Sequence, residues 1–159
     1  MARLEAGMTA PEFTLPDQDG TPISLASFAG GPVVVYFYPA DDTPGCTKEA
    51  CQFNDNLQAF SRAGGHVVGI SPDGADKHQA FRAKYGLTFP LLSDLDHGVM
   101  DAYGAWGEKT LYGKKTIGVI RSTFLVAADG TVARAWYNVQ ADGHAAKVLE
   151  ALEAMGTTA

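Results

Sequence analysis

A chain of 159 residues, 46% hydrophobic and 19% charged, is long enough to bury a core without staples and predicts a single domain over 1–159. Its formal net charge of −6, with no basic cluster beyond Lys114-Lys115, argues against a nucleic-acid or anionic-membrane partner. No apolar run could span a bilayer, MARLEAGMTAPEF lacks the apolar segment of a secretory signal, and two cysteines are too few for a disulfide framework; a cytoplasmic protein is expected, or an organellar one if a targeting peptide has been removed.

Residues 13–15 and 23–25 flank the turn pair Asp19-Gly20 and predict an N-terminal β-hairpin. The continuous apolar run VVVYFY, 33–38, reads as a strand buried on both faces. A helix follows from Cys46 to about Arg62, with Leu57 and Phe60 on one side and Gly64-Gly65 ending it. Residues 66–70 form a second buried strand, 75–85 a helix closed by Gly86, 89–92 a short strand, and 97–103 a short helix capped by Asp96. Strands at 122–127 and 131–137 flank Asp129-Gly130, a strong hairpin signal. Residues 143–155 make an amphipathic helix carrying Val148, Leu149 and Leu152. Early strands joined through helices and late strands joined by a tight turn predict an α/β fold, a mixed central sheet with helices on both faces. Such sheets place ligands where a central strand gives way to a loop and a helix N-terminus.

That junction reads YFYPADDTPGCTKEAC, residues 36–51. Pro39 ends the strand, and Pro44-Gly45 turns the chain so that Cys46 falls in the first turn of the helix. Unpaired N–H groups there carry partial positive charge and favour a thiolate. Thr43 is near enough to aim its hydroxyl at the same space. A free thiol of pKa about 8.5 is roughly 3% ionised at pH 7, so complete ionisation raises the thiolate only about 30-fold. Lowering the pKa also lowers intrinsic nucleophilicity. A fast thiolate enzyme therefore needs help in the transition state, for which the Thr43 hydroxyl, the Cys46 N–H and a fixed cation are the candidates. An isolated helical cysteine is usually a small core residue, but the Pro, Thr and Pro-Gly before this one point to a reactive thiol.

The pattern P-x-x-x-T-x-x-C after a VVVYFYP strand resembles that of the peroxiredoxins, thiol peroxidases on a thioredoxin-like fold. The continuation CTKEAC, with a second cysteine five residues on, resembles the Q-type group, also called bacterioferritin comigratory protein. The likeness runs from APEFTLPDQDG to the last helix. It implies a thioredoxin-like fold with an N-terminal β-hairpin extension. It also implies a peroxidase for hydrogen peroxide or alkyl hydroperoxides that needs no metal or bound cofactor, is re-reduced by thioredoxin or a similar dithiol, and exists as a monomer or weak homodimer. Cys46 would be the peroxidatic cysteine, whose thiolate attacks the O–O bond and becomes a sulfenic acid. Cys51 would be the resolving cysteine, condensing with it to an intramolecular disulfide. By the same resemblance Thr43 orients the peroxide and Pro39 screens the sulfur from water. Arg121, in GVIRSTFLV just before a late strand, partners thiolate and leaving oxygen, and Glu49 helps hold the arginine. Without the resemblance, Arg121 reads as a solvated strand-end cation and Glu49 as a first-turn carboxylate favoured by the helix dipole.

The spacing has a consequence of its own. In regular helix, five residues rise about 7.5 Å and turn roughly 140°, which puts the two Cα atoms roughly 8.6 Å apart. A disulfide needs about 4.4 to 6.8 Å. The helix start is therefore expected to be a two-state element, folded for the peroxide and unwound for the disulfide.

Other signals lead less far. GEKT (107–110) and GKKT (113–116) each depart from G-x-x-x-x-G-K-[ST]. His66, His78, His97 and His144 are scattered, and C-x4-C alone is not a zinc site. Trp106 and Trp136 read as core or rim packing, with Trp106 also a candidate to border the pocket. Two further functions stay open: a thiol–disulfide oxidoreductase on the same fold and a non-catalytic redox-sensing or chaperone module. The missing C-x-x-C disfavours the oxidoreductase, as does Arg121-Ser122-Thr123 where thioredoxins carry a proline.

Overall fold

The apolar run after Pro32 becomes β3 (Val33–Phe37), buried at every position and central in the sheet. The computed structural model describes residues 3–111 and 113–156, so the first two and last three residues of the expected 1–159 unit lie outside the described residues. Ahead of β3, β1 (Thr14–Pro16) and β2 (Pro22–Ser24) pair antiparallel in the expected hairpin, with Thr14 opposite Ser24. Its turn is tied by Asp17, whose carboxylate accepts from the Asp19 and Thr21 amides.

Downstream lie α1 (Pro44–Asp55), α2 (Leu57–Arg62), β4 (His66–Ser71), α3 (Ala75–Tyr85), β5 (Leu91–Ser93) and α4 (Gly98–Ala102). They are followed by β6 (Trp106–Leu111), β7 (Lys114–Val119), β8 (Ser122–Val126), β9 (Val132–Trp136) and α5 (His144–Gly156). The sheet order is β5-β4-β3-β8-β9. The first three strands run parallel, and β8 and β9 are antiparallel. This is the expected thioredoxin-like mixed sheet.

Alternation along β3 divides the core. Val35 and Phe37 face a cluster with Tyr103, Phe124, Met100 of α4 and Phe13 beside the hairpin. Val34 and Tyr36 face the other cluster, built on Phe53 of α1, Phe60 of α2, Phe81 of α3 and Val148 of α5. Cys46 belongs to that second cluster, so the reactive-thiol candidate sits on the helix-rich face.

Three expectations need correction. The helix starts at Pro44, with Pro44 at its first position, where a missing N–H costs nothing. Pro44-Gly45 is therefore helix rather than turn, although Cys46 does lie in the first turn. Nor does the helix run unbroken to Arg62: Asn56 leaves helical geometry (φ −98°, ψ 5°), and its side-chain amide donates to the Gln52 carbonyl at 2.8 Å. This local side-chain competition ends α1 and lets α2 start afresh. The 97–103 segment is not capped directly by Asp96. His97 takes the cap position in left-handed geometry (φ 64°), and Asp96 accepts from the Gly98 amide at 3.0 Å.

The pair β6 and β7 has no counterpart among the expected elements. β6 and β7 form a two-stranded ribbon, Trp106 opposite Val119 through Leu111 opposite Lys114. The GEKT and GKKT segments lie in this ribbon. Trp106 at its base stacks on His97, ring centroids 3.7 Å apart. No helix among the described residues is long and apolar enough to cross a membrane.

Candidate active site

β3 delivers the chain at Tyr38 into the loop that reaches Thr43, the N-cap of α1. Helix geometry leaves the Gly45 and Cys46 amides without intrahelical carbonyls, since the first such bond runs from the Thr47 amide to the Thr43 carbonyl at 2.8 Å. Cys46 is buried, 1% exposed, beneath those positive N–H ends.

Arg121 comes from the segment between β7 and β8. Its carbonyl is fixed by the Val139 amide at 3.0 Å. Its guanidinium forks: Nη2 donates to Cys46 Sγ at 3.3 Å and Nη1 to Glu49 Oε1 at 2.6 Å. Residues 46, 49 and 121 thus form one hydrogen-bonded unit. Gly45 leaves room for this approach, because a Cβ there would crowd Arg121 Nη2 at 3.2 Å.

Burial pushes the Glu49 carboxyl up to about 7, and the Arg121 charge opposes this without offsetting it. Its Oε2 is buried without a hydrogen-bond partner among the described residues, which adds to the cost of ionising it. Burial works against the Arg121 charge too, but Glu49 and Cys46 outweigh it and hold the guanidinium above its ordinary value. Arg121 stays charged, and in this ion pair it is the Glu49 carboxyl that burial pushes toward its neutral form.

Thr43 stands one turn ahead of the thiol, and its hydroxyl donates to the Ala40 carbonyl at 3.0 Å. With its one proton committed, Thr43 meets a ligand as an acceptor. Pro39 is half-buried in the bend directly after Tyr38. Cys51 is half-buried on the same helix as Cys46, and both cysteines are free. Burial, with the Asp55 charge as second cause, pushes the Cys51 thiol up.

What braces the loop is set by residues distant in the chain. Asp41 accepts from the Tyr38 hydroxyl at 2.5 Å and bonds His78 Nδ1 at 2.6 Å, while His78 Nε2 reaches the Leu92 carbonyl at 3.0 Å. The Asp41 amide donates to Asp73 at 2.7 Å. Two of these partners lie more than 30 residues away, so no local pattern could reveal them. His144 is similar: it is buried between Phe53 and Trp136, with Nε2 2.9 Å from the Thr123 hydroxyl. Burial first, then Lys147 and Arg121, pushes it down to about 4. Among the described residues, no group of three or more His, Cys, Asp or Glu could hold a metal ion.

A buried thiol on a helix N-terminus, hydrogen-bonded to a fixed arginine, with a second free cysteine on the same helix, defines a thiol-based redox enzyme on a thioredoxin-like scaffold. The AhpC/TSA family model matches residues 6–135, and the chain belongs to that family. Its relatives put it among the peroxiredoxins, in the Q-type or bacterioferritin comigratory group, which are thiol peroxidases. Peroxiredoxin Bcp of Escherichia coli K12 is 44% identical over 153 residues, 96% of this chain and 98% of its own. A relative from Mycobacterium tuberculosis that carries a peroxiredoxin name is 60% identical over 146 residues, 92% of this chain and 93% of its own. The Xanthomonas campestris bacterioferritin comigratory protein, described for its alkyl peroxide reduction activity, superposes with a TM-score of 0.88 at 41% identity. That match covers 96% of this chain and 99% of the other.

Proposed function

We propose that this peroxidase reduces hydrogen peroxide and organic hydroperoxides through a two-cysteine cycle carried by Cys46 and Cys51. The observation that carries the reading is the Arg121 fork, with one arm on the Cys46 sulfur at 3.3 Å and the other on Glu49 at 2.6 Å. The thiolate attacks one peroxide oxygen, the O–O bond breaks, and the other oxygen leaves as hydroxide or alkoxide and takes a proton. The Arg121 guanidinium and the Cys46 N–H stabilise the charge as it moves onto that oxygen. Thr43 accepts a hydrogen bond from the peroxide O–H, and Pro39 limits water at the sulfur. The alkyl peroxide reduction of the Xanthomonas campestris relative supports organic hydroperoxides as substrates.

Cys51 then condenses with the Cys46 sulfenic acid. The S–S bond forms, the S–O bond breaks, and the hydroxyl leaves as water with the thiol proton. Because α1 spans both cysteines, this step requires its first turns to unwind. Such opening is among the cheaper motions of a folded chain. A thioredoxin-like dithiol then takes up the disulfide and restores both thiols. The chain acts as one domain, and because both cysteines belong to one helix the cycle is complete within one chain, so that a monomer or weak homodimer suffices. Two free cysteines suit a reducing cytoplasm.

Steady-state assays with hydrogen peroxide, an alkyl hydroperoxide and a thioredoxin-type donor test the reading. Donor oxidation driven by peroxide supports it. Disulfide reduction without peroxide use would favour a thiol–disulfide oxidoreductase, and neither activity would favour a non-catalytic module.

A further inference from the structure

We propose that Gln52 is a positioning residue for the resolving step, a latch that holds α1 folded and sets how fast Cys51 can reach the Cys46 sulfenic acid. The inference rests on the two-cysteine reading above.

In α1 each amide from Ala50 to Asp55 bonds the carbonyl four residues back, that is, the carbonyls of 46–51. Opening the turn between the cysteines therefore frees amides as far as Asp55, and the disturbance passes directly under Gln52, Phe53 and Asn54. The side chains of these three residues tie the helix to three different parts of the molecule.

Gln52 reaches the entry of α5. Its Nε2 donates to Asp142 at 2.8 Å, and its Oε1 accepts from the Gly143 amide at 2.8 Å. Asn54 reaches the loop after α3. Its Nδ2 donates to the Gly86 carbonyl at 3.1 Å, and its Oδ1 accepts from the Thr88 amide at 2.9 Å. Phe53 between them is fully buried and stacks on Tyr36, centroids 4.6 Å apart. The N-terminal half of α1 is held differently, by the Arg121 bonds to Cys46 and Glu49.

These two sets of ties act on different states of the cycle. The Arg121 bonds belong to the thiolate and the peroxide. The Gln52 bonds touch neither cysteine nor Arg121, yet they must be strained or broken when the turn opens. Gln52 is also next in sequence to Cys51, so its release is coupled to that thiol's movement. Loosening it raises the population of the open form and leaves the folded pocket unchanged.

The latch also sets a competition. A Cys46 sulfenic acid that waits in the folded pocket can meet a second peroxide and become a sulfinic acid, which the donor dithiol does not reverse. A tight latch lengthens that wait.

The test uses the full-length reduced chain, mixed rapidly with hydrogen peroxide and quenched at intervals for intact-mass analysis of sulfenic, disulfide and sulfinic forms. Two solvent-accessible hydrogen bonds at the low end of their usual worth amount to about 1 kcal/mol, or about five-fold at 1.4 kcal/mol per decade. Gln52→Ala should convert sulfenic acid to disulfide about five-fold faster. Its sulfinic fraction at fixed excess peroxide should fall, and its bimolecular peroxide step should stay within about two-fold of wild type. Asp142→Ala removes one of the two bonds from the other side and should give about a two-fold acceleration. A merely structural role for Gln52 would slow both steps or neither; acceleration of one alone is specific to a latch. If Gln52→Ala damages the peroxide step, Asp142→Ala decides. Unchanged or slower resolution in the variant whose peroxide step is intact overturns the latch. Absence of a 46–51 disulfide in the wild-type chain would instead overturn the two-cysteine reading itself.

Discussion

Replacing Arg121 by Ala isolates the part of the rate that ionisation cannot supply. In the proposed cycle two effects are removed together: a cation 3.3 Å from the Cys46 sulfur and a donor for the oxygen that becomes charged. The first acts only through the thiolate fraction, about 3% for a thiol of ordinary pKa at pH 7, so whatever it costs is recovered once the thiol is ionised. The second is not recovered in that way, and losing one preorganised donor to developing charge costs about 100- to 1,000-fold. The bimolecular rate with hydrogen peroxide should therefore fall by more than about 100-fold at pH 7. Most of the loss should persist at alkaline pH, where the thiolate is complete. The fold should survive, since the Arg121 carbonyl bond to the Val139 amide is made by the backbone. Rapid mixing across pH, with the Cys46 pKa followed by thiolate absorbance, separates the two effects. Arg121→Lys keeps the charge without the fork and should recover only part of the rate. A loss that disappears once the thiol is ionised would refute the reasoning.

Further outcomes follow from the same geometry. Cys51→Ser should reduce one peroxide per chain at the wild-type rate and then stall as a sulfenic acid, read as one added oxygen by mass. Glu49→Gln should change the pH dependence of stability. A carboxyl raised from 4.5 to about 7 contributes stability that is fully present below about 4.5 and is lost as pH rises through about 7, at most about 3 kcal/mol. The variant should therefore gain on wild type as pH rises from 5 to 8 in denaturant titrations, and a flat difference would count against the buried carboxyl. The difference is the quantity to read, because His144, lowered to about 4, has the opposite slope and loses its contribution as pH falls from about 6.5. Formation of the 46–51 disulfide should lower helix content and strip amide-exchange protection from Thr47 to about Asp55, leaving β3 and β4 protected; unchanged protection in the disulfide form would contradict the unwinding step.

What could be read from the sequence was whatever depended on local chemistry. The run at 33–38, the placement of Cys46 in the first turn of a helix and the Asp129-Gly130 turn each follow from neighbouring residues. The β6–β7 ribbon escaped because most of β7 is exposed on both faces, so it carries no apolar alternation to detect. The helix break at Asn56 was foreshadowed by Asn54-Asp55-Asn56, poor helix formers in series, but Leu57 and Phe60 continued the apolar spacing across it. At the site, the thiol and its N-cap threonine could be placed from spacing, and Arg121 and Glu49 only through family likeness. Asp41 meets His78 across 37 residues and His144 meets Thr123 across 21, contacts that only the folded chain brings together. Gly45 was read as a turn residue, when it lies in the first turn of α1, where a Cβ would crowd the Arg121 guanidinium at 3.2 Å.

The central claim is that the Cys46 thiolate takes the peroxide oxygen and Cys51 removes it. Intact-mass analysis of the reduced chain after one equivalent of hydrogen peroxide, followed by peptide mapping, tests it most directly. The expected result is a loss of two hydrogens with a single crosslink between the peptides holding Cys46 and Cys51, and no reaction in Cys46→Ser. Peroxide consumption by Cys46→Ser, or an oxidised wild-type chain without that crosslink, would contradict the account.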